Sequence, residues 1–85
     1  MKEWTYTIRD RMGLHARPAS YLVKMAASFP CRVTVESGGK IADAKKVFSV
    51  IGLNVKHGQE IILRTEGEQE EEAILELGRF MEENV

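Results

Sequence analysis

The chain predicts an α+β fold: an open-faced β-sandwich whose four-stranded, mainly antiparallel sheet carries three helices on one face, in the order β-α-β-β-α-β-α. Two patterns and one absence lead there. Short segments with apolar and polar side chains in alternation are interleaved with longer ones whose apolar residues recur at helical spacing. No repeat, linker or low-complexity tract divides them, so the 85 residues are read as one domain, 1–85. Each helix and each strand has a single apolar face, and one layer of helices on one layer of sheet is the economical way to bury both.

The elements follow in order. Residues 2–8 place Trp4, Tyr6 and Ile8 at every second position, the period of a half-buried strand. A charged loop, Arg9 to Gly13, leads to a helix from about Ala16, where Ala19, Leu22, Val23 and Ala26 line one face. Pro18 suits a first helical turn, where its missing N–H costs nothing. Arg17, just before it, is biased away from helical angles, so an irregular start is expected. Pro30 is expected to end this helix. Cys31 to Ser37 alternates around Val33 and Val35, and Ser37-Gly38-Gly39-Lys40 is a tight turn into a short third strand. A short helix follows Asp43 or Ala44, with Val47, Val50 and Ile51 on one face and Asn54 at the left-handed position beyond its end. His57-Gly58 turns the chain into a strand over 60–66. The last helix opens at Gly67-Glu68-Gln69, with Glu70, Glu71 and Glu72 in its first turn and an apolar stripe (Ala73, Ile74, Leu77, Phe80, Met81) to about residue 81.

Bulk composition excludes several classes. Twelve basic and 13 acidic residues leave a net charge of -1, which predicts no general attraction to nucleic acid. No apolar run approaches the roughly 18 residues of a membrane span, so membrane insertion is not expected. The first residues do not resemble a signal peptide. With Cys31 the only cysteine, a reducing cytoplasm is the expected location. Two histidines, His15 and His57, and one cysteine without ligand spacing predict neither a metal site nor a cofactor. Neither a Ser-His-Asp set nor a glycine-rich nucleotide loop is apparent, so the chain is not expected to be an autonomous enzyme. No exposed stripe demands a dimer, and a monomer is expected.

The stretch Gly13-Leu14-His15-Ala16-Arg17-Pro18-Ala19-Ser20 carries the chemistry. It sets His15 at the seam between an extended segment and a helix, where unpaired N–H groups and about half a positive charge favour an anion. The same groups, with Arg17, favour an uncharged, nucleophilic ring and then stabilise phosphoryl oxygens once one is attached. The backbone N–H groups of Ala16 and Arg17 form the phosphate cradle, and the planar fork of Arg17 clamps it. Arg9 and Arg11 are candidates for steering an anionic partner. Phe48 lies off the Val47/Val50/Ile51 face and is expected to be exposed. With Met12, Leu14, Val47 and Ile51 it is read as an apolar docking rim around the reactive site.

Gly13-Leu14-His15-Ala16-Arg17-Pro18-Ala19 resembles the phosphorylation motif of HPr, the histidine-containing phosphocarrier family of the bacterial phosphoenolpyruvate-dependent sugar phosphotransferase system. The likeness runs across nearly the whole chain, through Gly39-Lys40 to Lys56-His57-Gly58-Gln59-Glu60-Ile61. It implies phosphorylation of His15 on its δ nitrogen, with enzyme I as donor and enzyme IIA domains as acceptors. It also implies a departure. Many members carry a regulatory serine at the start of the second helix; here Lys46 occupies that position, in Ala44-Lys45-Lys46-Val47-Phe48, and the role is not transferred to Ser49. An HPr-like paralogue serving another phosphorelay, or a binding module that signals by its phosphorylation state, are the alternative readings.

Overall fold

A computed structural model describes all 85 residues. The elements are β1 (Lys2–Thr7), α1 (Ala16–Ala27), β2 (Arg32–Ser37), β3 (Lys40–Asp43), α2 (Val47–Gly52), β4 (Glu60–Glu66) and α3 (Glu70–Asn84). The four strands form one sheet in the order β1-β4-β2-β3, and every neighbouring pair is antiparallel. The open-faced α+β sandwich expected from periodicity is the fold observed.

Alternation explains which face is covered. Trp4, Leu63, Val35 and Ala42 stand opposite one another across the strands, so one row of side chains crosses the whole sheet. Leu63 and Val35 are fully buried, as are Val33 and Ile61 on the same face. They share a single core with Ala19, Leu22 and Ala26 of α1, Val50 of α2, and Ala73, Leu77 and Met81 of α3. Thr65 is the one buried polar side chain, and its hydroxyl donates to the Glu70 carbonyl at 2.7 Å. The opposite face stays open. There Arg64 is bridged by Glu36 and by Glu3 from the strands on either side, and these two carboxylates raise its pKa further.

Local chemistry sets the boundaries. Gly38 and Gly39 both adopt positive φ (58° and 81°), as a two-residue hairpin turn of this hand requires. Asn54 takes the left-handed conformation (φ 53°) just past α2. Three details depart from the sequence reading. α1 ends at Ala27, three residues before Pro30, because the Ser28 and Phe29 N–H groups turn to the carbonyls three residues back and the Ser28 hydroxyl also donates to Met25 O. α3 runs past residue 81 to Asn84. The start of α1 is regular: Arg17 is helical, and the Ala19 N–H closes the first turn on the His15 carbonyl at 3.0 Å. A first-turn proline has no carbonyl four residues back to strike, so only the weaker bias on its predecessor remained to be overcome. No helix is long and apolar enough to cross a membrane.

Candidate functional site

The loop between β1 and α1 is held in place by its backbone. The Arg9 and Asp10 N–H groups both donate to the Val85 carbonyl, at 2.7 and 2.8 Å, and Leu14 N–H donates to Val55 O at 2.9 Å. Gly13 is required where it stands. Its φ is +71°, and a Cβ there would lie 2.2 Å from Val55 O. The next residue, Leu14, is 3% exposed and joins the core. That burial corrects its assignment to the docking rim: the leucine anchors the loop beneath the site instead of offering itself to a partner.

His15 is the N-cap of α1, in extended conformation (φ -89°, ψ -176°), and no side chain caps the helix. The first turn contains no acid. The Ala16 and Arg17 N–H groups make no hydrogen bond within the protein, and Pro18 has none to offer, so the helix start is open to an anion. Arg17 is exposed and forms no ion pair, leaving its guanidinium free beside the histidine. His15 and Arg17 line one hollow of about 350 Å³ with Asp10, Met12, Pro18, Tyr21 and Asn84. A larger open trough of about 830 Å³ adjoins it between α1 and α2, sharing Arg17 and Tyr21 and reaching Lys24 and Val47. The residues read from the sequence as nucleophile, cradle and clamp are thus brought together.

The rim is less uniform. Phe48 is 85% exposed and Met12 71%, whereas Val47 and Ile51 are half-buried against the core. Lys46 caps α2, exposed and unpaired, while Lys45 donates to Phe29 O at 2.7 Å. Arg9 proves to be a fastener: its guanidinium donates to the Tyr6 hydroxyl (3.0 Å) and to Glu82 O (2.9 Å), tying β1 to the end of α3. Arg11 is the loop cation left free. His57 lies in its turn with Nδ1 3.1 Å from Arg9 O, and Cys31 is buried. No group of three or more His, Cys, Asp or Glu side chains is arranged to hold a metal ion.

Three site residues were not picked out from the sequence. Tyr21 follows Arg17 by one helical turn, a spacing that could have revealed it. Asp10 accepts the Met12 N–H on Oδ1 at 2.8 Å, an Asx-turn that its type and position suit, and this aims its Oδ2 to within 3.6 Å of His15 Nε2. Asn84 arrives from the far end of the chain, and nothing local signals it.

Residues 2–83 match the family model described as the PTS HPr component phosphorylation site. The chain is 39% identical over 83 residues to the phosphocarrier protein HPr of Lysinibacillus sphaericus, covering 98% of this chain and 94% of that one. The solved structure of a Mycoplasma histidine-containing phosphocarrier protein superposes with a TM-score of 0.94 at 32% identity, over 96% of this chain and 93% of the other. Crh, an HPr-like protein of Bacillus subtilis, is 37% identical over 92% of each chain; in crystals it forms a dimer with a swapped domain, which superposes with a TM-score of 0.78 over 100% of this chain and 98% of that one.

Proposed function

The chain belongs to the HPr family of phosphotransferase-system phosphocarriers, and on that premise we propose that His15 is the residue on which it is phosphorylated. The ring takes a phosphoryl group from phosphorylated enzyme I and passes it to enzyme IIA domains in the cytoplasm. One observation carries the proposal most directly: a histidine caps a helix whose next two N–H groups are unpaired and whose first turn holds an arginine and no acid. Phosphoryl transfer asks a protein mainly for positioning and for compensation of oxygen charge. Ala16 and Arg17 N–H receive the oxygens, and the Arg17 fork closes over them.

Met12 and Phe48 form the exposed part of the docking rim, with Val47 contributing the edge it shows beside the trough and the half-buried Ile51 completing it. Lys46 leaves no hydroxyl for a regulatory kinase at the N-cap of α2, and with the role not transferred to Ser49 the carrier is proposed to lack that brake. Transfer is proposed to need only the monomer, which light scattering of the active protein would check. The likeness to Crh favours a second reading, an HPr-like relay or regulatory role with the same His15 chemistry. Mixing with phosphoenolpyruvate and purified enzyme I should add one acid-labile phosphate that is absent from His15→Ala. If a well-folded protein takes up no phosphate from an active donor, the proposal fails.

A further inference from the structure

We propose that Asp10 is a positioning residue for the transfer: its carboxylate holds the proton on Nε2 of His15 and so leaves Nδ1 as the nucleophile. The inference rests on the reading of His15 as phosphoryl acceptor. A neutral imidazole has one N–H and one lone pair, and whatever faces each nitrogen decides which is which. Oδ2 of Asp10 stands 3.6 Å from Nε2, whereas Nδ1 has no partner in the protein. The aspartate is not free to drift. Its N–H donates to Val85 O (2.8 Å), its carbonyl accepts from Gly13 N–H (2.9 Å), and its Oδ1 accepts from Met12 N–H (2.8 Å), so three bonds fix the remaining oxygen. A carboxylate there would also repel an incoming phosphoryl group from Nε2.

As the donor's phosphorus–nitrogen bond breaks and its electron pair returns to the donor ring, the Nδ1 lone pair forms the new bond to phosphorus. His15 keeps its Nε2 proton and gains positive charge, which Asp10 offsets. When the phosphoryl group leaves for the acceptor, the bonding pair returns to Nδ1 and the ring is neutral again, still protonated at Nε2. No proton has to move in either direction. At 3.6 Å the two groups are an ion-pair distance apart, and such contacts tighten as charge develops.

Asp10→Asn and Asp10→Ala separate charge from scaffold. Asparagine keeps the oxygen that accepts Met12 N–H and removes only the charge; alanine removes both. Each variant is compared with the parent for thermal midpoint, for rate of phosphorylation by enzyme I and phosphoenolpyruvate, and for the 15N–1H correlation pattern of the His15 ring. Both side chains are about one-third exposed (29% and 30%), so screening keeps the expected effect small, a roughly three- to fivefold slower uptake in Asp10→Asn. That variant should retain the parental midpoint and still reach full phosphorylation on His15. Its ring pattern should move from the Nε2–H tautomer toward an exchanging mixture. If Asp10→Asn matches the parent in rate and ring pattern while Asp10→Ala is impaired, Asp10 only braces the loop and the inference is overturned. A parent that accepts no phosphate at all removes the reading of His15 and this inference with it.

Discussion

Two helices of this chain begin in opposite ways. α3 starts closed: Glu70, Glu71 and Glu72 fill its first turn, and the Glu70 carboxylate takes the Gly67 N–H on one oxygen and the amino group of Met1 on the other, both at 2.9 Å. Those two donors, the backbone one first, hold the Glu70 carboxyl below the ordinary glutamate range. Neither N-cap side chain bonds its helix, but α1 starts open, with no acid in its first turn and a cation at Arg17 where the macrodipole disfavours one. An anion at a helix start is worth about 0.3–1 kcal/mol, so α1 forgoes roughly that much at rest. On the proposed function, the contrast separates a terminus built for stability from one kept available for a charge that arrives and leaves.

The comparison can be broken outright or sharpened by degrees. His15→Ala should abolish phosphate uptake, seen as a missing mass increment. It should change unfolding free energy by no more than about 0.5 kcal/mol, since the ring is partly exposed and makes no capping bond. Arg17→Ala should slow uptake about tenfold, the value of one charge-assisted contact, with little loss of stability; unaltered transfer kinetics would discard the clamp. Ala16→Glu would give α1 the acidic start of α3. It should stabilise the protein by about 0.5 kcal/mol in chemical denaturation while slowing uptake severalfold, because the new carboxylate competes with the phosphoryl group. Glu70→Gln is the mildest change. A carboxyl with a lowered folded pKa stabilises fully above its ordinary value of 4.5, and that contribution disappears as pH falls through the folded value. The variant should therefore be the less stable at pH 7, and acid unfolding curves of the two proteins should converge as the pH drops below that range.

Periodicity was sufficient for the fold class because each element has one apolar face; alternation sets the face of Trp4, Leu63 and Val35, whereas their register across the sheet is supplied by the structure. The motif around His15 was equally legible, since cap, proline and arginine are neighbours in sequence. Most of what escaped, the local Tyr21 apart, depends on distance along the chain. Leu14 looks like a surface apolar residue until Val55, 41 positions later, takes its N–H and draws it under the loop. Arg9 reads as a free loop charge until Glu82 arrives beside it. Asp10 is a middle case: its turn is local, but its bearing on His15 comes from the whole loop being pinned to Val85.

Trp4 is the one tryptophan of the chain. Its indole stacks on Tyr6 with ring centres 5.0 Å apart and lies against Gly78 of α3, where a Cβ would come within 3.5 Å of the ring. Neither hollow at the histidine includes it. Intrinsic fluorescence therefore reads the seam between the first strand and the last helix, and a quenched or red-shifted emission signals that this seam has parted. Substitutions at His15, Ala16 or Arg17, away from the Arg9–Tyr6–Trp4 contacts, should leave the emission spectrum as it was, which makes the chain's own chromophore an internal standard for telling a disabled carrier from an unfolded one.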